Sequence, residues 1–155
     1  MTNLCKQVLD QLAGKTLATA ESCTGGMVAK RITDISGASG CFAYGCVTYS
    51  NQAKQRLLGV SAETLDAYGA VSAQTALEMA RGVRNLAGSD IGVGITGVAG
   101  PGGASATKPV GLVYIAIGNA ETIEAFEFHF YGTRHEIRRQ AALKAMELLM
   151  KELAE

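Results

Sequence analysis

The stretch Ile91-Gly92-Val93-Gly94-Ile95 constrains the fold of this chain more than any other. Three β-branched residues at period two read as a strand. The intervening glycines leave the strand's other face without side chains, so a neighbouring element can pack very close to the backbone. The segment before it carries Ala76, Met79, Ala80, Val83 and Ala87 at helical spacing, with Ser72 placed as its cap. A buried strand beside an amphipathic helix points to an α/β domain.

The remaining elements agree. Cys5, Val8, Leu9 and Leu12 predict an opening helix ended by Gly14, and Thr16–Ala20 predicts a buried strand. Ser22-Cys23-Thr24-Gly25-Gly26 then leads into a helix through about Ile35. Ser36–Gly40 reads as a loop, Phe42–Tyr49 as a strand and Asn51–Leu58 as a short helix. Ser61 caps another helix to Tyr68. Gly97–Lys108 is a long glycine-rich loop, and Val110–Ile117 an apolar strand. Gly118–Glu121 turns it into a strand with Phe126, Phe128 and Phe130 on one face. Thr133 and Glu136 form a capping box for a final helix. The expectation is one domain over residues 1–155, a three-layer α/β/α sandwich. The hairpin makes its sheet of about five strands mixed.

Composition narrows the function. Lys plus Arg equal Asp plus Glu at 14 each, which argues against bulk nucleic-acid binding but leaves room for a local basic pocket. The four cysteines form no C-x-x-C pair and there are two histidines, so no metal site is expected. No apolar run reaches membrane-span length, and the first twelve residues lack a signal-peptide pattern. The expected setting is the cytoplasm, with reduced thiols and no membrane partner.

The chemistry concentrates where strands end. Ser22 stands between a strand and a helix start, where unpaired amides and the helix dipole stabilise a phosphate or an oxyanion. Gly25 and Gly26 let a ligand approach that backbone. Cys23 is a rival nucleophile, but neither His129 nor His135 is spaced to serve it as a base. Tyr49 and Lys54 bracket the end of the next strand and could face the same crevice, where a desolvated Lys can take a serine's proton. Taken singly, each of these residues also fits a plain cap, a core thiol or a solvated surface position.

Gly92-Val93-Gly94-Ile95-Thr96-Gly97 matches G-x-G-x-x-G, yet it lies inside a strand and opens no helix, so a dinucleotide site is excluded. Tyr49 and Lys54 loosely echo the Tyr-Lys pair of short-chain dehydrogenases, with the spacing off by one. The loop Thr96–Gly103 follows the carboxyl end of a strand, where open α/β sheets place ligands. Arg138 and Arg139, early in the last helix, are candidate clamps for a phosphate or carboxylate.

Five stretches together resemble the CinA C-terminal domain family, which includes stand-alone nicotinamide-mononucleotide deamidases. They are Thr19–Gly26, Val47–Lys54, Gly69–Ser72, Thr96–Pro101 and Lys108–Gly111, in the family's order. The resemblance implies hydrolysis of the carboxamide of nicotinamide mononucleotide to nicotinic acid mononucleotide and ammonia, in pyridine-nucleotide recycling. It implies no cofactor and no metal. It maps the nucleophile to Ser22 and the assisting residues to Lys54 and Tyr49. Thr24, Gly25, Gly26, Asn51, Thr96, Gly97, Gly100, Arg138 and Arg139 are the expected substrate contacts. Amides near Thr24–Gly26 would hold the oxyanion, and a homodimer is the expected assembly. One position departs: Leu112 stands where the resemblance places Thr. Long members carry a further N-terminal domain with pyrophosphatase-like chemistry, which is not transferred to these 155 residues. A catalytically inactive nucleotide sensor of the same fold, or an amidase for another small amide, are the alternatives. Whether Lys54 or Tyr49 touches the Ser22 hydroxyl stays open at this point.

Overall fold

The computed structural model describes residues 2–155. The elements run α1 (Thr2–Leu12), β1 (Leu17–Glu21), α2 (Met27–Thr33), β2 (Phe42–Val47), α3 (Asn51–Leu58), α4 (Ala62–Tyr68) and α5 (Ala73–Ala87). Then come β3 (Ile91–Gly97), β4 (Leu112–Gly118), β5 (Ile123–His129) and α6 (Arg134–Ala154), with a short 3-10 turn at Ala38–Gly40. One five-stranded sheet has the order β2-β1-β3-β4-β5. β1 pairs in parallel with β2 and β3, whereas β3–β4 and β4–β5 are antiparallel, so the sheet is mixed.

Side-chain alternation builds the layers. Leu17, Ile91, Val93, Ile95, Val113, Ile115 and Ile117 face one side and pack with the buried stripes of α1, α2 and α6. Ala18, Ala20 and Ala116 face the other side, against α3 and α5. That second face is nearly bare. A Cβ on Gly92 would lie 2.3 Å from the Ala80 carbonyl oxygen, and one on Gly94 would lie 2.5 Å from that of Ala76. The glycines therefore seat α5 against the strand backbone, through its small residues Ala76 and Ala80.

Caps fix the helix starts. Ser50, Ser61, Ser72 and Thr133 each accept from the amide three residues on, and Thr133 and Glu136 complete the capping box. Each such cap is worth about 1 kcal/mol. Several boundaries differ from the sequence expectation. α2 starts only at Met27 and ends at Thr33, because Ser22–Gly26 forms a separate turn. β2 stops at Val47, since Ser50 has to cap α3. β4 begins at Leu112, after Gly111 adopts a positive φ of 94°. Phe130 lies just past β5, but it still packs on the core with Phe126 and Phe128.

The topology positions a crevice. From β1 the chain passes through α2 to β2 on one side, while β3 lies on the other. Connections that diverge from a central strand leave a gap at its carboxyl end. Ser22 is the first residue beyond that end.

Candidate functional site

Ser22 is held by the sheet. Its amide donates to the Ile95 carbonyl at 2.9 Å, and its carbonyl accepts from the Gly25 amide at 3.0 Å. A crevice of about 280 Å3 opens beside it, walled by Tyr49, Asn51, Lys54, Thr96, the loop from Gly97 to Gly103, and Arg134. The buried Thr96 hydroxyl donates to the Ala70 carbonyl at 2.8 Å, tying the α4–α5 connection to the crevice wall.

Lys54 approaches Ser22 from α3. It lies four residues before Leu58, and these two are the buried residues of that helix. Its side chain is 1 % exposed. Nζ lies 3.0 Å from Ser22 Oγ, 2.8 Å from the Thr48 carbonyl and 3.5 Å from that of Tyr49. Among the described residues no carboxylate pairs with it. Burial lowers its pKa below the ordinary 10.5, with Cys23 opposing weakly. Nζ donates to all three oxygens as an ammonium; in its neutral form two N–H groups would serve the carbonyls and leave a lone pair for the serine hydroxyl.

Tyr49 plays a different part from Lys54. Its side chain is 60 % exposed, at the mouth of the crevice. Its hydroxyl accepts from Arg134 Nη2 at 2.9 Å, and only its backbone carbonyl reaches Lys54. Lys54, not Tyr49, therefore touches the Ser22 hydroxyl.

Cys23, the next residue, is buried yet also lines the crevice. Desolvation, followed by the nearby Glu21 charge, pushes its thiol up to about 12. At neutral pH it stays protonated and weakly nucleophilic. Neither histidine lines the crevice, and His129 instead meets Glu127 on the surface.

The helix start behaves differently from the expectation. Glu21 is 1 % exposed, and its carboxylate accepts from Thr24 Oγ1 at 2.6 Å, Val28 N at 2.9 Å and Ala29 N at 3.1 Å. The anion at the start of α2 is thus the protein's own. Thr24 is fully buried and, with Gly25 and Gly26, lies off the crevice lining. Gly25 does admit a close approach, but by Arg138: a Cβ there would sit 3.0 Å from its Nη2. Arg138 Nε donates to the Cys23 carbonyl at 3.0 Å, and Nη2 to that of Thr24 at 3.1 Å. Arg139 faces a separate cavity with Tyr131, Glu136, Gln140 and Leu143. Neither of the two candidate clamps, Arg138 or Arg139, lines the crevice.

The arginine that does line the crevice is Arg134, which the sequence does not single out. Its Nη1 donates to the Gly100 carbonyl at 2.8 Å, and its Nη2 to the Tyr49 hydroxyl. Helical spacing puts Arg134 and Arg138 on one face that Arg139 leaves, but does not say which of the two reaches the crevice. Leu112 is buried in β4 and does not line the crevice, so its departure from the resemblance leaves the wall unchanged. Among the described residues no cluster of metal-ligating side chains occurs, and no helix is long and apolar enough to cross a membrane.

Comparison with known proteins agrees with this architecture. Residues 1–153 match the CinA C-terminal domain. A CinA-like protein of Geotalea daltonii is 51% identical over 140 residues, which is 90% of this chain and 34% of that protein. The chain thus spans about a third of the length of the curated relatives it matches. Among solved structures, a CinA superfamily protein from Klebsiella pneumoniae superposes with a TM-score of 0.95 at 37% identity, covering 99% of this chain and 97% of that one. The competence/damage inducible protein CihA from Agrobacterium tumefaciens gives 0.94 at 42% identity, covering 99% and 95%. Motifs, fold and relatives converge on one assignment: the chain belongs to the CinA C-terminal domain family.

Proposed function

We propose that this protein is a serine amidohydrolase that converts nicotinamide mononucleotide to nicotinic acid mononucleotide and ammonia. The observation that carries the reading is the 3.0 Å approach of a buried lysine, without a counter-ion, to the Ser22 hydroxyl. A merely structural lysine would gain nothing from that placement, because burying a cation without a partner costs several kcal/mol.

The proposed steps start from that contact. Ser22 Oγ attacks the carboxamide carbon as its proton passes to the neutral Lys54 Nζ. The Cys23 amide, in the turn that lines the crevice, has no oxygen acceptor among the described residues and is the donor for the oxyanion. The Gly25 amide, one of the expected donors, is spent on the Ser22 carbonyl. Lys54 then returns the proton to the amide nitrogen, which leaves as ammonia. A water gives its proton to Lys54 and hydrolyses the acyl-serine. The carboxylate product departs and Ser22 recovers its proton. Arg134 at the mouth supplies positive charge for the phosphate, with Asn51 and the loop at Gly97–Gly100 as further contacts. The expected homodimer remains part of the proposal.

The test is ammonia release from nicotinamide mononucleotide by purified protein. Wild type releases ammonia, Ser22→Ala loses essentially all release and Cys23→Ala keeps most of it. A dead Cys23→Ala beside an active Ser22→Ala overturns the nucleophile. Tight binding without release by wild type supports the inactive-sensor alternative.

A further inference from the structure

We infer that Arg138 is a positioning residue that fixes the turn carrying Ser22 and the Cys23 amide. The inference rests on the acyl-transfer reading above. The turn spans Ser22–Gly25, closed by the Gly25 amide on the Ser22 carbonyl. Its central peptide joins Cys23 to Thr24. That peptide can rotate between two orientations without breaking the closing bond, which is what separates the common turn types. Arg138 Nε holds its carbonyl at 3.0 Å. In a trans peptide the N–H points opposite to the C=O, so the Thr24 amide is directed away from Arg138. The Ser22 carbonyl is held by Gly25, so the Cys23 amide is likewise directed out of the turn.

The guanidinium is also bound at the next peptide. Nη2 donates to the Thr24 carbonyl, which accepts from the Met27 amide as well. Two donors in a rigid fork fix one orientation of the turn, which a lysine ammonium cannot reproduce. Glu21 grips the same residue from the sheet side through Thr24 Oγ1. Gly25 completes the fit. Its φ is +60°, and a Cβ would meet Arg138 Nη2 at 3.0 Å. Arg138 thus reaches 114 residues back along the chain to set the turn that carries the nucleophile.

The test uses two readouts on the purified full chain. One is the rate at which a fluorophosphonate labels Ser22, followed by intact mass. The other is kcat and KM for nicotinamide mononucleotide. Arg138→Ala and Arg138→Lys are expected to slow labelling and lower kcat by on the order of a hundredfold, with KM within about twofold. Thermal melts identify folded variants, and the lysine variant keeps the test open if the alanine variant is unstable. A variant that raises KM while leaving kcat and labelling intact makes Arg138 an anion clamp and overturns the inference. Labelling of wild type without ammonia release defeats the substrate assignment alone, and Arg138 is then judged on labelling. Failure of wild type to label defeats both.

Discussion

Ser22 lies between two buried ionisable groups, and they are buried to different ends. Glu21, on the sheet side, has three donors: a hydroxyl and two helix-start amides. Lys54, on the α3 side, has two carbonyls and the Ser22 hydroxyl, and no opposing charge. Both are 1 % exposed. Burial alone therefore does not mark a catalytic group. A carboxylate on helix amides is satisfied in its charged form and anchors the turn. An amine desolvated without a counter-ion is biased toward its neutral form, which is the form a general base needs.

The largest effect expected from this contrast is at Lys54. Lys54→Met should lower ammonia release by at least about a thousandfold, at the strong end of general-base contributions. Lys54→Arg should fail to restore it, because a guanidinium does not deprotonate in this range. An active arginine variant removes Lys54 as the base. The same substitution carries a stability signature. Burial lowers the folded-state pKa below 10.5, so between the two values the unfolded chain binds the extra proton. Wild-type stability therefore rises with pH through that window. Urea denaturation at stepped pH should show the gap to Lys54→Met moving in wild type's favour as pH climbs toward 10.5. A gap independent of pH contradicts a neutral buried lysine.

A smaller effect, of another kind, is expected at Glu21. In Glu21→Gln one terminal group of the side chain becomes an N–H donor facing amide or hydroxyl donors. The change should cost about 1–3 kcal/mol of stability, read as a lower urea midpoint with unchanged slope. Activity at saturating substrate should stay within about tenfold. If Glu21→Gln leaves stability intact but abolishes turnover, the two groups have been assigned the wrong way round.

Much of the frame was legible because it is local. Ser61, Ser72 and Thr133 declare their helices through bonds to residues three positions away. The glycine face of β3 announced close packing, which α5 provides. Ser22 and Lys54 were legible as candidates, and the phase of Lys54 with Leu58 shows that it points inward. What was not legible depends on where side chains go after the chain folds. A helix start invites an anion, but no local pattern says that Glu21 already fills the place. A glycine invites an approach, but Arg138 comes from 113 residues further on. Choosing among Arg134, Arg138 and Arg139 required knowing which face of α6 meets the carboxyl end of the sheet.

The central claim is that neutral Lys54 takes the proton of Ser22. The most direct test is the pH dependence of Ser22 labelling by a fluorophosphonate, compared between wild type and Lys54→Met. The rate for wild type should rise with pH and level off below 10.5, and the variant should lack that limb. A wild-type rate that is flat, or that rises only at the ordinary lysine value, contradicts the account, as does an identical limb in the variant.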